Sequence, residues 1–225
     1  MKDELIINNT TYKRVEKLDS LNMFKGQLYE TIVTTQSNES VKNAAPIGVI
    51  CKDSNHVVIH LDNCVHTHLN ILENGELIVN ITKDPLIFTY STIGELDDEY
   101  FDEFNGFPLI KDTLGFFKAH VIKRIEKKRE NDYNDGIGHV VTCEVEEIYI
   151  SDYNEIVPLN RAMNAVIESL VYYCRFDHKY KDIQKEIWTH MKELNRVCQK
   201  VGNESEKKSM KLIIDKMREK HKYLE

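Results

Sequence analysis

Apolar and polar residues alternate with period two through most of the first 150 positions, and near Pro158 the alternation gives way to a helical period. The alternating runs are rich in β-branched and aromatic residues. They predict strands at about 28–35, 44–52, 56–62, 76–82, 86–92, 115–127 and 139–150. In LIVNIT, Leu77, Val79 and Ile81 share one face, and Ile78, Asn80 and Thr82 share the other. The two longest runs are separated by ENDYNDGIG, a turn-rich segment carrying Gly136 and Gly138. Many short strands without intervening helices predict an antiparallel barrel or sandwich. Two short helices are expected to interrupt it. One lies near 66–73 and stops at Asn74-Gly75; the other lies near 96–104 and covers an open end. Residues 1–26 read as an N-terminal arm with one short helix around Thr11 to Leu18.

From Pro158 onward three apolar stripes recur at helical spacing, with the proline expected at a helix start. Met163, Val166, Ile167, Leu170, Val171 and Cys174 form the first. Tyr180, Ile183, Ile187, Met191, Leu194 and Cys198 form the second, and Met210, Ile213, Ile214, Met217 and Leu224 the third. Asn203 with Glu206 three residues later marks a capping box. All three stripes read as core packing. The expected organisation is therefore an arm (1–26), a β domain (27–152) and a three-helix domain (153–225).

The chain has 225 residues, 41% apolar and 30% charged, which is ordinary for a globular protein. A formal charge of -7 argues against a nucleic-acid partner held by bulk charge. The one basic run, KRIEKKRE at 123–130, is interleaved with acids and reads as a solvated hairpin arm. No segment has the length of a membrane-spanning helix, and MKDELIINNTTYKR lacks the apolar core of a signal peptide. Five cysteines without a CxxC pair read as reduced thiols in a cytoplasmic protein.

The candidate chemistry is neutral. Asn43, Thr67, Asn70 and Asn80 fall at strand ends or at a helix start, where backbone N–H groups and neutral side chains can hold a phosphate and a polar ring. Ala44, Ala45 and Gly48 let a flat ligand approach the backbone, and Pro46 suits an irregular or edge position. Thr67 is a plausible N-cap for a helix over 68–73, with Asn70 projecting from its first turn. His56 and His60 lie on a strand, about 13 Å apart, and cannot share an ion. His66 and His68 could chelate a metal only if their segment were extended, so no metal site is expected. Cys143 reads as a core residue, and Glu144 with Glu146 as a solvent-facing pair. No GxSxG, GxGxxG or GxxxxGK[ST] motif is present.

The ordered set YETIVTT, NAAPIGV, HTHLNI, GELIVNIT, HVVTCEVEEI and LNRAMNAVIESLVYYCR resembles the archaeal domain-of-unknown-function four-forty-seven family across most of the chain. The resemblance implies an FMN-binding split barrel, an antiparallel Greek-key barrel, followed by a small helical domain. It implies FMN bound noncovalently at the interface of a homodimer; any activity would be redox chemistry of the flavin. Thr34 and Thr35 would end the first barrel strand. Asn43, Ala44, Ala45, Pro46 and Ile47 would run along the flavin ring. Thr67 and Asn70 would take the phosphate, and Asn80 would support the site. Many flavin reductases carry a Gly-Asp-His-type segment tied to nicotinamide use. The corresponding VVTCEVEEIYI has none, so nicotinamide use does not carry over. A deazaflavin-coenzyme-dependent reductase, and a noncatalytic flavin carrier or sensor whose helices bind a partner, are the alternative readings.

Overall fold

The computed structural model describes residues 4–62, 66–129, 136–152, 156–176 and 180–221. The chain forms two compact units, Met1–Leu159 and Asn160–Glu225. The first unit contains strands β1 (Glu4–Ile7), β2 (Thr10–Val15), β3 (Leu28–Gln36), β4 (Lys42–Asp53) and β5 (His56–Asp62). Helix α1 (His66–Asn74), strand β6 (Glu76–Ile81) and helix α2 (Pro85–Ile93) follow, then β7 (Phe101–Phe104), β8 (Phe107–Ile110), β9 (Gly115–Arg129) and β10 (Gly136–Ser151).

Six strands close on themselves in the order β3-β4-β5-β10-β9-β6, every pair antiparallel. Closure removes the exposed edges that an open sheet would leave. The barrel is split because β10 changes partner along its length. Gly138 to Glu144 pair with β5, whereas Ile148 to Ser151 pair with β2. Register shifts at Thr142/Cys143 and Val145/Glu147 turn the strand between the two partners. The shifts also reset the alternation, so Val141, Cys143 and Val145 face the same core as Ile148. Leu77, Val79 and Ile81 enter that core, as the period-two pattern requires, and Ile78 joins a second cluster around Phe116 and Tyr149. Each such fully buried side chain contributes roughly 1.5–3 kcal/mol.

Three segments depart from the sequence expectation. The short helix around Thr11 to Leu18 is instead strand β2, paired with β1 through a turn in which Asn8 and Asn9 both take positive φ. A single 3-10 turn follows at Leu18–Leu21. The strand expected at 86–92 is α2. Asp84 caps it by accepting the Leu86 N–H at 2.8 Å, and Pro85 supplies a first helical residue whose missing donor costs nothing. The helix expected at 96–104 is one 3-10 turn, Asp98–Tyr100, followed by β7. Strand β7 pairs with β8 across Asn105-Gly106, both at positive φ, a turn suited to a two-residue hairpin.

The second unit contains α3 (Arg161–Arg175), α4 (Lys181–Val201) and α5 (Glu204–Lys220). The start of α3 is set by Asn160, whose side chain accepts the Ala162 N–H at 2.8 Å; Pro158 precedes the helix rather than opening it. The capping box at α5 is complete, with Asn203 and Glu206 bonded reciprocally at 2.8 and 2.9 Å. The first stripe is corrected except at Val166, which is buried as expected. The buried side of α3 is the small-residue side, Ala162, Ala165, Val166 and Ser169, while Met163, Ile167, Leu170 and Cys174 are exposed. Ile187, Met191 and Cys198 of the second stripe are buried, but Tyr180 and Ile183 are exposed. Met210, Ile213, Ile214 and Met217 of the third are buried, and Leu224 lies outside the described residues.

Candidate functional site

A groove of about 490 Å³ opens in the first unit between β4, α1 and the segment that follows α2. Asn43, Ala44 and Ala45 line it from β4, and His66, Thr67 and Asn70 from α1. Ser91, Gly94, Leu96 and Phe101 close the opposite side. The register of β3 on β4 explains how two separate tracts meet. Thr35 faces Asn43, Thr34 faces Ala44, Val33 faces Ala45, Ile32 faces Pro46 and Thr31 faces Ile47. Strand β5 pairs with β4 only from Val49 onward. Asn43 to Gly48 therefore have β3 on one side and no strand on the other among the described residues, a place where the missing Pro46 donor costs no ladder bond.

The groove floor is a network of neutral groups. Asn43 Nδ2 donates to Thr67 Oγ1 at 2.8 Å and to Thr35 Oγ1 at 3.2 Å. Asn70 Nδ2 donates to Thr35 Oγ1 at 3.0 Å. Thr35, Thr67 and Asn70 are buried and Asn43 is half-buried. Helix α1 begins at His66, so Thr67 lies inside the first turn and is not the N-cap that its position suggested; its hydroxyl is turned to Asn43. The far end of α1 is closed by Gly75 at φ +69 and by Arg124, which donates to the Leu72 and Ile71 carbonyls at 3.1 and 2.9 Å. The lysine of the described lining, Lys42, is paired with Asp98 at 2.9 Å and lies over the Phe101 ring.

The remaining expected residues sit beside the groove. Asn80 is fully buried and ties three elements together. Its amide donates to the Ile32 carbonyl and to Thr34 Oγ1, both at 3.0 Å, and its oxygen accepts the Ile110 N–H at 2.9 Å. Thr34 belongs to that tie. Ile47 packs toward the main core. Gly48 is turned to Leu28, whose methyls stand 3.2 Å from where a Cβ would be, and is not part of the wall. The α2 side of the groove was missed, because a strand and a covering helix were expected there. The signals that mark it are the Asp84-Pro85 cap and the Asn105-Gly106 turn.

Behind α1, His68 Nε2 and His139 Nδ1 are 2.9 Å apart with their rings stacked. His68 is buried and its Nδ1 has no partner among the described residues. Burial, then His139 and Arg124, hold His68 below the ordinary imidazole value. His66 and His68 point apart, His66 exposed and His68 buried, as a helical segment requires. Among the described residues no group of three or more His, Cys, Asp or Glu side chains could hold a metal ion. Burial pushes the Cys143 thiol up to about 12, which leaves it protonated and inert as a nucleophile. Glu144 and Glu146 share one exposed face and flank His120 at 3.6 and 2.9 Å.

Residues 29–151 match the family model described as "Protein of unknown function (DUF447) N-terminal domain", and residues 160–215 match that of "Protein of unknown function (DUF447)". Among solved structures the chain is similar to an FMN-bound protein of family DUF447 from Methanosarcina mazei. Identity is 26% and the TM-score 0.49, over 88% of this chain and 98% of the other. It is also similar to nitrilotriacetate monooxygenase component B from Bacillus cereus, at 15% identity and TM-score 0.47, over 64% and 81% of the two chains. The styrene monooxygenase flavin reductase from Pseudomonas putida S12 shows 15% identity and TM-score 0.47, over 59% and 84%.

Proposed function

We propose, from the premise that this chain belongs to the DUF447 family, that it binds FMN noncovalently in the β4–α1 groove and acts as a flavoprotein homodimer. The observation that carries the reading is the pairing of a small-residue wall with a neutral hydroxyl-and-amide floor at the start of a helix. Ala44 and Ala45 let a flat ring lie close to the β4 backbone. Thr67, Asn70 and the first N–H groups of α1 suit a phosphate, with no side-chain cation required. The groove volume lies in the range of small-molecule sites. Bound FMN would supply the redox chemistry. The chain itself binds the phosphate, orients the ring and hydrogen-bonds its polar edge.

A second subunit is supported by α2. Leu86, Tyr90 and Ile93 are 53, 40 and 78% exposed on a helix that borders the groove, an apolar face suited to burial against a copy of the chain. The deazaflavin alternative is disfavoured by charge. A tail of several negative charges calls for several free cations. The described lining offers Lys42, already paired with Asp98, and His66, and it also carries the acidic Glu95. Lys83 does not line the groove. The four described cysteines are free thiols, in keeping with a cytoplasmic protein. No described helix is long and apolar enough to cross a membrane.

The absorption spectrum of freshly purified protein tests the reading. Yellow protein that releases FMN, not FAD, on heating is expected. Colourless protein that also fails to take up added FMN overturns it. Light scattering of the flavin-loaded protein tests the dimer, and a monomer would contradict it. Turnover of any electron donor separates an oxidoreductase from a flavin carrier.

A further inference from the structure

Thr35 is expected at the ligand, yet its side chain is fully buried and is absent from the groove lining. It sits one layer back, with both amides bonded to its oxygen. The hydrogens of this network decide what the groove presents. An amide nitrogen carries two hydrogens and accepts nothing. Asn43 Nδ2 spends one on Thr35 and one on Thr67, so the atom Asn43 has left is its carbonyl oxygen. Thr67 Oγ1 already accepts from Asn43, and no described protein group accepts the Thr67 hydrogen. Among the described residues that hydrogen is left for a ligand.

We propose that Thr35 is a positioning residue: without touching the ligand, its buried hydroxyl fixes the orientation of the Asn43 and Asn70 amides and so sets the polarity of the groove. With Thr35 in place, the groove offers a hydroxyl donor at Thr67 for an anionic oxygen and a carbonyl acceptor at Asn43 for a ring N–H. Without it, the Asn43 amide can turn over. Its oxygen then faces Thr67, draws the hydroxyl hydrogen to itself and removes the donor. Asn70 loses its tether in the same way. Assignment of the anion as the FMN phosphate rests on the function proposed above.

The test titrates FMN and riboflavin, which lacks the phosphate, into the wild type, Thr35→Val and Thr35→Ser. Thr35→Val should lose about tenfold in FMN affinity, since a hydrogen bond to a charged group is at stake. Its riboflavin affinity should change much less. Thr35→Ser keeps the hydroxyl and should keep the preference for FMN. Equal losses for both ligands in Thr35→Val, or an unchanged FMN preference, would overturn the positioning role while leaving FMN binding intact. A wild type that binds neither flavin would instead overturn the FMN reading. A second measurement needs no variant and no ligand. In the wild-type NMR spectrum both Asn43 side-chain amide protons should exchange slowly with solvent; fast exchange overturns the network.

Discussion

Two polar clusters in the barrel unit differ in how firmly their geometry is set. Around His120, the carboxylates of Glu144 and Glu146 approach at 3.6 and 2.9 Å, and Lys118 meets Glu76 at 2.9 Å. The His120, Glu144 and Glu146 side chains are 36, 50 and 38% exposed, so water and salt screen them. Under the groove, Thr35, Asn43, Thr67 and Asn70 carry no charge and are largely removed from water. A buried neutral donor is stabilised by being paired, so the Asn43 and Asn70 amide hydrogens that meet Thr35 and Thr67 each have one direction. The charged cluster has many near-equivalent arrangements; the neutral one has few. Directionality, more than charge, distinguishes the groove floor, and it is the property that the proposed FMN site would use.

The comparison breaks most sharply at the ligand. Thr67→Val combined with Asn70→Leu should weaken FMN binding by about tenfold or more per residue and riboflavin binding much less. Equal losses in paired titrations would place the phosphate elsewhere and leave the two residues as packing for α1.

Asn80→Leu probes the same kind of neutral hub at a residue that does not line the groove. It leaves the Ile110 N–H without its acceptor, at a cost of roughly 1–3 kcal/mol. Thermal unfolding should fall by several degrees while the FMN-to-riboflavin preference stays put. A changed preference would draw Asn80 into the site.

A smaller effect is expected at the His68–His139 pair. The folded state holds His68 below its ordinary value of 6.5, so the folded protein binds fewer protons than the unfolded chain there. Its contribution is fully present above 6.5 and declines as the pH falls through 6.5 toward the lowered folded value. Urea unfolding at descending pH should show this loss in the wild type, and His68→Gln should flatten it. Identical pH profiles would remove the role of His68 in this loss.

The smallest effects belong to the exposed cluster. Glu144→Gln and Glu146→Gln should each change stability by less than about 1 kcal/mol, shrinking further at high salt, with flavin binding unchanged. A large loss in either would mean that burial by a partner, not solvent, surrounds His120.

Much of this architecture was legible in the chain. The strand positions from Leu28 to Ile81 follow from alternation of apolar residues on a two-sided barrel wall. Both the α1 stop at Asn74-Gly75 and the α5 capping box follow from local hydrogen bonding that a few residues specify. The errors have separate causes. The segment LIFTYST has strand-like composition, yet the Asp84-Pro85 cap and the lack of a pairing partner make it α2. Asn8-Asn9 and Asn105-Gly106 are turn signals whose strands are too short for alternation to reveal. In α3 the sequence pattern favoured Met163, Ile167 and Leu170 as core, but close helix packing selected the small side, Ala162 and Ala165.

By itself, then, the sequence determined the elements whose causes are local: strand alternation, caps, turns and the polar residue types available for a site. The tertiary structure alone decided which of those residues share a site. Thr35 and Asn43 lie opposite each other because β3 and β4 pair in one register, and Thr67 and Asn70 reach them because α1 packs across β3. Hydrogen-bond direction is a property of atoms from four chain positions held within about 3 Å, and no local pattern encodes it.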